Sequence, residues 1–151
     1  MAGIYVECLP VGAFQENCYL VVNTETRGCL IVDPGAEGER IIRAAQEYKP
    51  AAVLLTHAHW DHIGAVDAVC GHFGIPLYVH EADAPKLTDS TKNVARQFGC
   101  DVTVATRPHL LHGGETLFLA DMEIRVLHTP GHSAGSVCYL LPQGQGVLTG
   151  D

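Results

Sequence analysis

Residues 51–65 read AAVLLTHAHWDHIGA, a stretch that joins an apolar run to a dense group of polar residues. It opens with a short apolar run, residues 51–55, that follows Pro50. A run of this length and composition predicts a central strand that is covered on both faces. The pattern H-x-H-x-D-H follows at once, so the predicted strand ends in a loop that is dense with polar side chains.

The four polar residues of this pattern are His57, His59, Asp61 and His62. Alternate residues of an extended segment point to one side, so we expect the first three to share a face. His62 breaks the alternation and should point elsewhere, because the chain turns into a helix there. Imidazole and carboxylate groups are preferred ligands of zinc and iron. The cluster therefore predicts a metal site, and a solvated surface cluster is the alternative.

A second predicted strand also ends in a histidine-containing loop. Residues 122–127 are predicted as a strand and run into HTPGHS at residues 128–133, where a proline and a glycine permit a sharp bend before His132. The chain closes on Asp151, after a short predicted strand over residues 147–149. Two separate strand ends therefore supply histidines that could bind a metal.

The remaining elements alternate between strands and helices. Further strands are predicted over residues 4–9, 18–22, 29–32, 77–79, 115–119 and 136–141, and helices over residues 37–49 and 63–73. The first three strands should form an antiparallel meander that ends at Asp33. This residue is either a turn-capping acid or a group that orients a ligand histidine. The segment 80–108 has the weakest pattern, with short helices expected around residues 81–86 and 93–98.

Composition indicates one globular domain over residues 1–151, with 47% hydrophobic residues and a net charge of −8. The negative charge disfavours a nucleic-acid partner. The six cysteines contain no C-x-x-C pair, which favours reduced thiols and a cytoplasmic location. The N-terminus lacks the features of a signal peptide, and no apolar run reaches the ~20 residues of a membrane span, so no membrane partner is expected.

The ordered combination of H-x-H-x-D-H, T-P-G-H-S and T-G-D resembles the metallo-β-lactamase fold superfamily. Residues 9–19, LPVGAFQENCY, together with the Asp-Pro-Gly sequence at residues 33–35, resemble more narrowly its glyoxalase II-like branch of small bacterial hydrolases, which are similar to hydroxyacylglutathione hydrolase. The resemblance implies an α/β (α+β) fold, the αββα sandwich, with the metal site at the edge between its two sheets.

The resemblance also implies roles for individual residues. His57, His59 and His132 would bind one metal ion, Asp61 and His62 would bind a second, and Asp151 would bridge the two. The two divalent ions are expected to be zinc, with iron and manganese as alternatives. They would share a hydroxide that attacks a thioester or related ester of a small molecule, and Asp61 is counted as a catalytic residue as well as a ligand.

One departure from the family concerns the end of the chain. Members of the family continue past T-G-D and supply a further histidine ligand and the later strands of the second sheet. The sequence therefore predicts a truncated, C-terminally incomplete domain with an incomplete second sheet. The oligomeric state is left open.

Alternatives to a thioester hydrolase remain open. A mononuclear iron persulfide dioxygenase would need only His57, His132 and Asp151, although Trp60 and Ser136 stand where that similar branch has alanine and cysteine. A lactonase is a further alternative. An inactive fragment, or an interaction module without catalytic activity, is the interpretation that the chain end favours.

Overall fold

The computed structural model describes residues 3–150, so Asp151, predicted as a bridging ligand, lies outside the described residues. Within residues 3–150, ten strands form two sheets. The six-stranded sheet runs in chain order and consists of β1 (Ile4–Val11), β2 (Glu16–Asn23), β3 (Gly28–Val32), β4 (Lys49–Leu54), β5 (Leu77–His80) and β6 (Pro108–Leu111). The antiparallel four-stranded sheet has the order β10-β9-β8-β7, with β7 (Thr116–Leu119), β8 (Met122–His128), β9 (Val137–Leu140) and β10 (Val147–Leu148).

The six-stranded sheet changes direction at β3. The strands β1, β2 and β3 form the predicted antiparallel meander, whereas β3, β4, β5 and β6 are parallel. Three α-helices follow strands of this sheet, α1 (Gly38–Ala45), α2 (Trp60–Ile63) and α3 (Val66–Phe73). Three short 3-10 helices cover Ala84–Thr88, Ala95–Phe98 and Pro142–Gly144. The parallel strands matter most for the site, because their carboxyl ends lie at one edge of the sheet.

The core has two layers, one on each face of the six-stranded sheet. Ile31 of β3 packs on the helical side with Ile41 and Val66. Its neighbours Leu30 and Val32 face the other sheet and pack with Ile124 and Tyr139. All five residues of β3 are buried, which explains why its sequence is apolar without alternation. The predicted α/β sandwich is confirmed, and the described part of the second sheet bears exposed side chains on its outer face.

Both predicted helices were too long. The helix expected over residues 37–49 ends at Ala45, because Lys49 already pairs with Gly28 in the sheet and the intervening residues must turn. The helix expected over residues 63–73 is divided into α2 and α3. Gly64 lies against Gly35, so closely that an added Cβ would be 2.4 Å from the Gly35 carbonyl oxygen. This contact and a hydrogen bond from the Ala65 amide to the Pro34 carbonyl interrupt the helix.

The strand β6 was not predicted. It lies at the edge of the sheet, begins with a proline and exposes its central residues His109 and Leu110, so its sequence lacks the pattern of a buried strand. The two short helices expected in the segment 80–108 exist as 3-10 helices that begin at Ala84 and Ala95. All six cysteines are free thiols. Within residues 3–150 no helix has the length and apolar character required to cross a membrane.

Candidate metal centre

The candidate site lies at the carboxyl ends of three adjacent parallel strands. Asp33 follows β3, His57 lies three residues beyond the end of β4, and Asp83 lies three residues beyond the end of β5. The second sheet is joined to this edge by two hydrogen bonds. The Val137 amide donates to the Thr56 carbonyl at 2.8 Å, and the Tyr139 hydroxyl donates to the Leu55 carbonyl at 2.5 Å. The site therefore lies between the two sheets.

The structure brings together three of the predicted ligands, His57, His59 and His132. Their ring centroids are 4.8 Å apart for the two pairs that include His57 and 4.6 Å apart for His59 and His132. His59 Nδ1 and His132 Nε2 are 3.0 Å apart. One ring nitrogen from each residue lies within 4.8 Å of the other two. Three convergent imidazole nitrogens from two loops form a donor set of the kind that binds zinc with an open fourth position.

A second group of possible ligand atoms consists of Asp33, His57 and His62. His62 Nδ1 lies 3.0 Å from Asp33 Oδ2 and 3.4 Å from Glu16 Oε1. Asp33 also accepts hydrogen bonds from the Thr56 amide at 2.8 Å and from the Thr56 hydroxyl at 2.5 Å. Of the two interpretations of Asp33, the structure favours the group that orients a histidine, because its carboxylate fixes the ring of His62 through Nδ1.

Of the two predicted ligands in α2, Asp61 is less buried than His62. Its Oδ1 lies 3.9 Å from His62 Nε2, and about a third of its side chain is exposed (32%). Neither of the two ligand groups described above includes it. The predicted change of direction at His62 is explained by α2, which begins at Trp60 and turns Asp61 and His62 onto different sides. The Asp61 carboxylate and the His62 ring therefore lie close together, but their 3.9 Å separation is longer than a hydrogen bond.

The electrostatics of the site keep His57 and His59 neutral. Burial lowers the pKa of His57 to about 2, and the neighbouring imidazoles act in the same direction. Burial and the ring of His132 also lower the pKa of His59. A neutral imidazole is the form that ligates a metal. His62 differs, because burial opposes its protonation but the hydrogen bond and charge of Asp33, with other nearby carboxylates, outweigh burial and raise its pKa to about 9.

Asp83 is a residue of this site that the sequence analysis missed. Its side chain is fully buried and accepts hydrogen bonds at 2.8 Å from the amide of Ala58 and from the amide of Gly135. The Ser133 hydroxyl donates to both of its oxygens, and Lys86 Nζ lies 3.0 Å away. Burial would raise the pKa of Asp83, but these hydrogen bonds lower it. Its position soon after a parallel strand was the signal that could have identified it.

Comparison with known proteins gives the site a family context. A family model described as "Metallo-beta-lactamase superfamily" matches residues 11–151. The "Probable metallo-hydrolase YqgX" of Bacillus subtilis (strain 168) is 40% identical over 146 residues, which are 95% of this chain and 68% of that protein. The "Hydroxyacylglutathione hydrolase GloC" of Haemophilus influenzae is 34% identical over 150 residues, covering 97% of this chain and 70% of that protein.

Two solved structures agree with the fold. The BLEG-1 B3 metallo-beta-lactamase is 40% identical, with a TM-score of 0.86 over 91% of this chain and 67% of that chain. The protein TTHA1623, solved in a di-iron-bound form, is 36% identical, with a TM-score of 0.82 over 95% of this chain and 70% of that chain. The family match covers most of the chain, and the two histidine loops lie within it. The chain belongs to the metallo-beta-lactamase superfamily.

Proposed function

We propose that this chain is a metal-dependent hydrolase of the glyoxalase II type, which cleaves a thioester or related ester of a small molecule. The observation that supports the proposal is the convergence of the imidazoles of His57, His59 and His132 from two loops at the edge between the sheets. The name of the Haemophilus influenzae relative, a hydroxyacylglutathione hydrolase, supports a thioester substrate. Two other relatives, each named a probable metallo-hydrolase, support only a hydrolase in the broader sense.

The donor set of the site fits a metal ion. His57 and His59 have lowered pKa values and are neutral at physiological pH, as ligation requires. We assign the first ion to these two residues and His132. We assign the second ion to His62 and Asp61, which requires the ion to displace the proton that the raised pKa of His62 favours. Asp151 as a bridging ligand stays a prediction. Zinc is the expected metal, and the di-iron form of TTHA1623 supports iron as an alternative. Manganese is a further alternative.

The residues of the chain have separate tasks in this proposal. Bound divalent ions supply a water molecule with a pKa near neutrality and polarise a carbonyl oxygen. Asp33 holds His62 in one orientation through Nδ1. The carboxylate of Asp61 lines the cavity that His59 and His132 also line, and in this proposal it accepts a proton from a group bound there. The partners that we expect are small molecules, with neither nucleic acid nor membrane, and the cytoplasmic location stays a prediction.

The experiment that tests the proposal compares metal content and hydrolysis in matched variants. The chain is purified without chelator or added metal and assayed with S-lactoylglutathione and a neutral thioester. We expect bound divalent metal, and we expect His59→Ala to lose metal and to reduce hydrolysis by about 100-fold or more. His72→Ala, at an exposed histidine on α3, is the control and should retain both properties. Full hydrolysis in His59→Ala would contradict the proposal.

A β-lactam amide is the second candidate substrate, because the similar BLEG-1 structure is that of a B3 metallo-beta-lactamase. The same preparations assayed with a chromogenic cephalosporin separate the two candidates. Turnover of the cephalosporin without turnover of thioesters would show that the substrate of this site is a β-lactam and not a thioester.

A further inference from the structure

Three aromatic side chains from separate parts of the chain meet beside the histidine cluster. They are Phe14 from the loop between β1 and β2, Trp60 from the start of α2, and Phe98 from the end of the second 3-10 helix. The ring centroids are 5.7 Å apart for Phe14 and Trp60, and 5.3 Å apart for each pair that includes Phe98. We call these residues the aromatic cluster. Phe14 and Phe98 are 58% and 52% exposed, although large apolar side chains in contact usually exclude water.

The aromatic cluster forms the wall of a cavity that opens onto the candidate metal centre. The cavity has a volume of about 310 Å³, and His59, Asp61 and His132 also line it. A cavity of about 150 Å³ is large enough for benzene, so this one accommodates an aryl group or a short alkyl chain. Because three predicted metal ligands line it, a group attached to a reacting carbonyl would enter this cavity.

The charge of the cavity also restricts its occupant. Among the described residues that line it, none is Lys or Arg, and Asp61 is the single carboxylate. The chain as a whole has a net charge of −8. An anionic substituent would therefore find no Lys or Arg side chain in this lining with which to pair, whereas a neutral apolar group would contact three aromatic rings. The cavity favours neutral hydrocarbon or aryl groups.

Backbone and side-chain hydrogen bonds fix the part of the cavity wall that contains Val94. Val94, which completes it, has φ 74°, in the left-handed region that a β-branched residue rarely adopts. The preceding residue Asn93 is fully buried, and its side-chain amide donates to the carbonyl groups of Lys86 and Val102 at 2.9 and 2.7 Å. The Asn93 carbonyl in turn accepts a hydrogen bond from the Trp60 amide at 2.9 Å. These contacts join the segment that contains Asn93 and Val94 to the histidine loop at Trp60.

We propose that the aromatic cluster binds a neutral apolar substituent of the substrate, of about the size of a phenyl or hexyl group, next to the bond that is cleaved. Phe14 and Phe98 are then specificity-determining residues. This inference rests on the proposed hydrolase function for its kinetic part, but its binding part is independent of it. The substituent belongs either to the acyl part or to the thiol or alcohol part of the substrate, and both parts are tested separately below.

Binding is measured through Trp60, which is the single tryptophan of the chain. The chain is titrated with phenylacetamide, a neutral probe, and with acetamide. We expect phenylacetamide to change the tryptophan emission saturably and acetamide to leave it unchanged. Phe98→Ala and Phe14→Ala should weaken phenylacetamide binding at least about fivefold, since each removes one ring of the wall. Phe118→Ala, at a 75% exposed phenylalanine on β7, is the matched control and should bind like the parent.

Hydrolysis separates the failure of this inference from the failure of the proposed function. Three thioesters are compared: S-acetyl and S-phenylacetyl N-acetylcysteamine, and S-benzyl thioacetate. We expect at least one phenyl-bearing thioester to exceed the S-acetyl compound about tenfold or more in kcat/KM, and Phe98→Ala to remove that advantage. A preference for the S-phenylacetyl compound would show that the pocket binds the acyl part, and a preference for S-benzyl thioacetate would show that it binds the leaving group.

Two outcomes overturn one proposal and not the other. Hydrolysis of all three thioesters at equal rates, without a change in Trp60 emission, overturns the aromatic pocket and leaves the hydrolase proposal intact. Saturable, Phe98-dependent binding of phenylacetamide without hydrolysis of any thioester or ester supports the pocket and overturns the proposed reaction.

Discussion

The hydroxyl of Ser133 donates to both carboxylate oxygens of Asp83, at 2.6 and 2.8 Å, although the two residues are 50 positions apart. The same carboxylate accepts the amide of Ala58, which lies between His57 and His59, whereas Ser133 is the neighbour of His132. Asp83 thus joins the two loops that contain the candidate ligands. An added Cβ on Gly135 would lie 2.6 Å from the Asp83 amide nitrogen, so the loops approach each other closely at this point.

Asp83→Asn should therefore weaken both the fold and the metal site. The side-chain amide of asparagine would turn an N–H group toward the donors of Ala58 and Ser133, so hydrogen bonds would be lost. Each hydrogen bond to a charged acceptor contributes about 1.5–3 kcal/mol in the parent. We expect a loss of at least about 2 kcal/mol in urea unfolding. Metal affinity, measured by chelator competition, should fall about tenfold or more. If unfolding changes but metal affinity does not, Asp83 supports only the fold.

Asp61→Ala tests the assignment of the second metal. Asp61 is about one-third exposed and lies outside the first histidine group, so the variant should fold and keep the first ion. We expect the metal content to fall by one ion per chain and hydrolysis to decrease by about 100-fold. Metal analysis and kcat are measured on the same preparation. Unchanged hydrolysis would mean that a single ion bound by the first group is sufficient.

Gly35→Ala should disrupt the position of α2. A Cβ at Gly35 would lie 1.8 Å from the carbonyl oxygen of Asp61, a backbone atom that cannot move independently. We expect a loss of several kcal/mol, about 3 or more, in unfolding experiments. Gly71→Ala is the matched control, because its Cβ would meet no atom within 4 Å and alanine favours the helix by about 0.5–1 kcal/mol. The control should be at least as stable as the parent. Equal stability of the two variants would show that the contact between Gly35 and α2 is unimportant.

The contribution of Asp67 to stability should depend on pH. Asp67 accepts hydrogen bonds from the Ala105 amide at 2.8 Å and from the amide and hydroxyl of Thr106 at 2.9 and 2.5 Å. Partial burial would raise its pKa, but these hydrogen bonds lower the pKa below the ordinary value of 3.8. Because the folded-state pKa is depressed, the stabilisation is complete above the unfolded-state value and is lost as pH falls through the folded-state value.

The measurement for Asp67 compares the thermal midpoint Tm of Asp67→Asn with that of the parent between pH 7 and pH 3. We expect a difference in favour of the parent that is constant above about pH 5 and shrinks below about pH 4. Asp121→Asn, in the exposed turn between β7 and β8, is the control. A difference that grows as the pH falls would contradict the prediction.

The two ligand loops and the strands that precede them could be predicted from the sequence. His57, His59 and His62 follow from one spacing pattern after one apolar run, and the role of Asp33 was among the alternatives that the strand end suggested. Such features are local, since backbone periodicity and turn chemistry act over a few residues. Helix ends were less predictable, because the end of α1 and the break between α2 and α3 depend on contacts with distant strands and glycines.

The contacts between the two loops, and the aromatic residues beside them, could not be predicted from the sequence and depend on the folded chain. Asp83 lies in the segment with the weakest pattern, and its partners Ala58 and Ser133 are 25 and 50 residues away. Phe14 and Phe98 meet Trp60 from segments on either side of it in the chain. No local sequence pattern predicts these contacts, because the carboxyl ends of parallel strands come together only when the whole sheet has formed. The physical reason is that the ability to bind a metal depends on the chemistry of each side chain, whereas the shape of a pocket depends on how distant segments pack together.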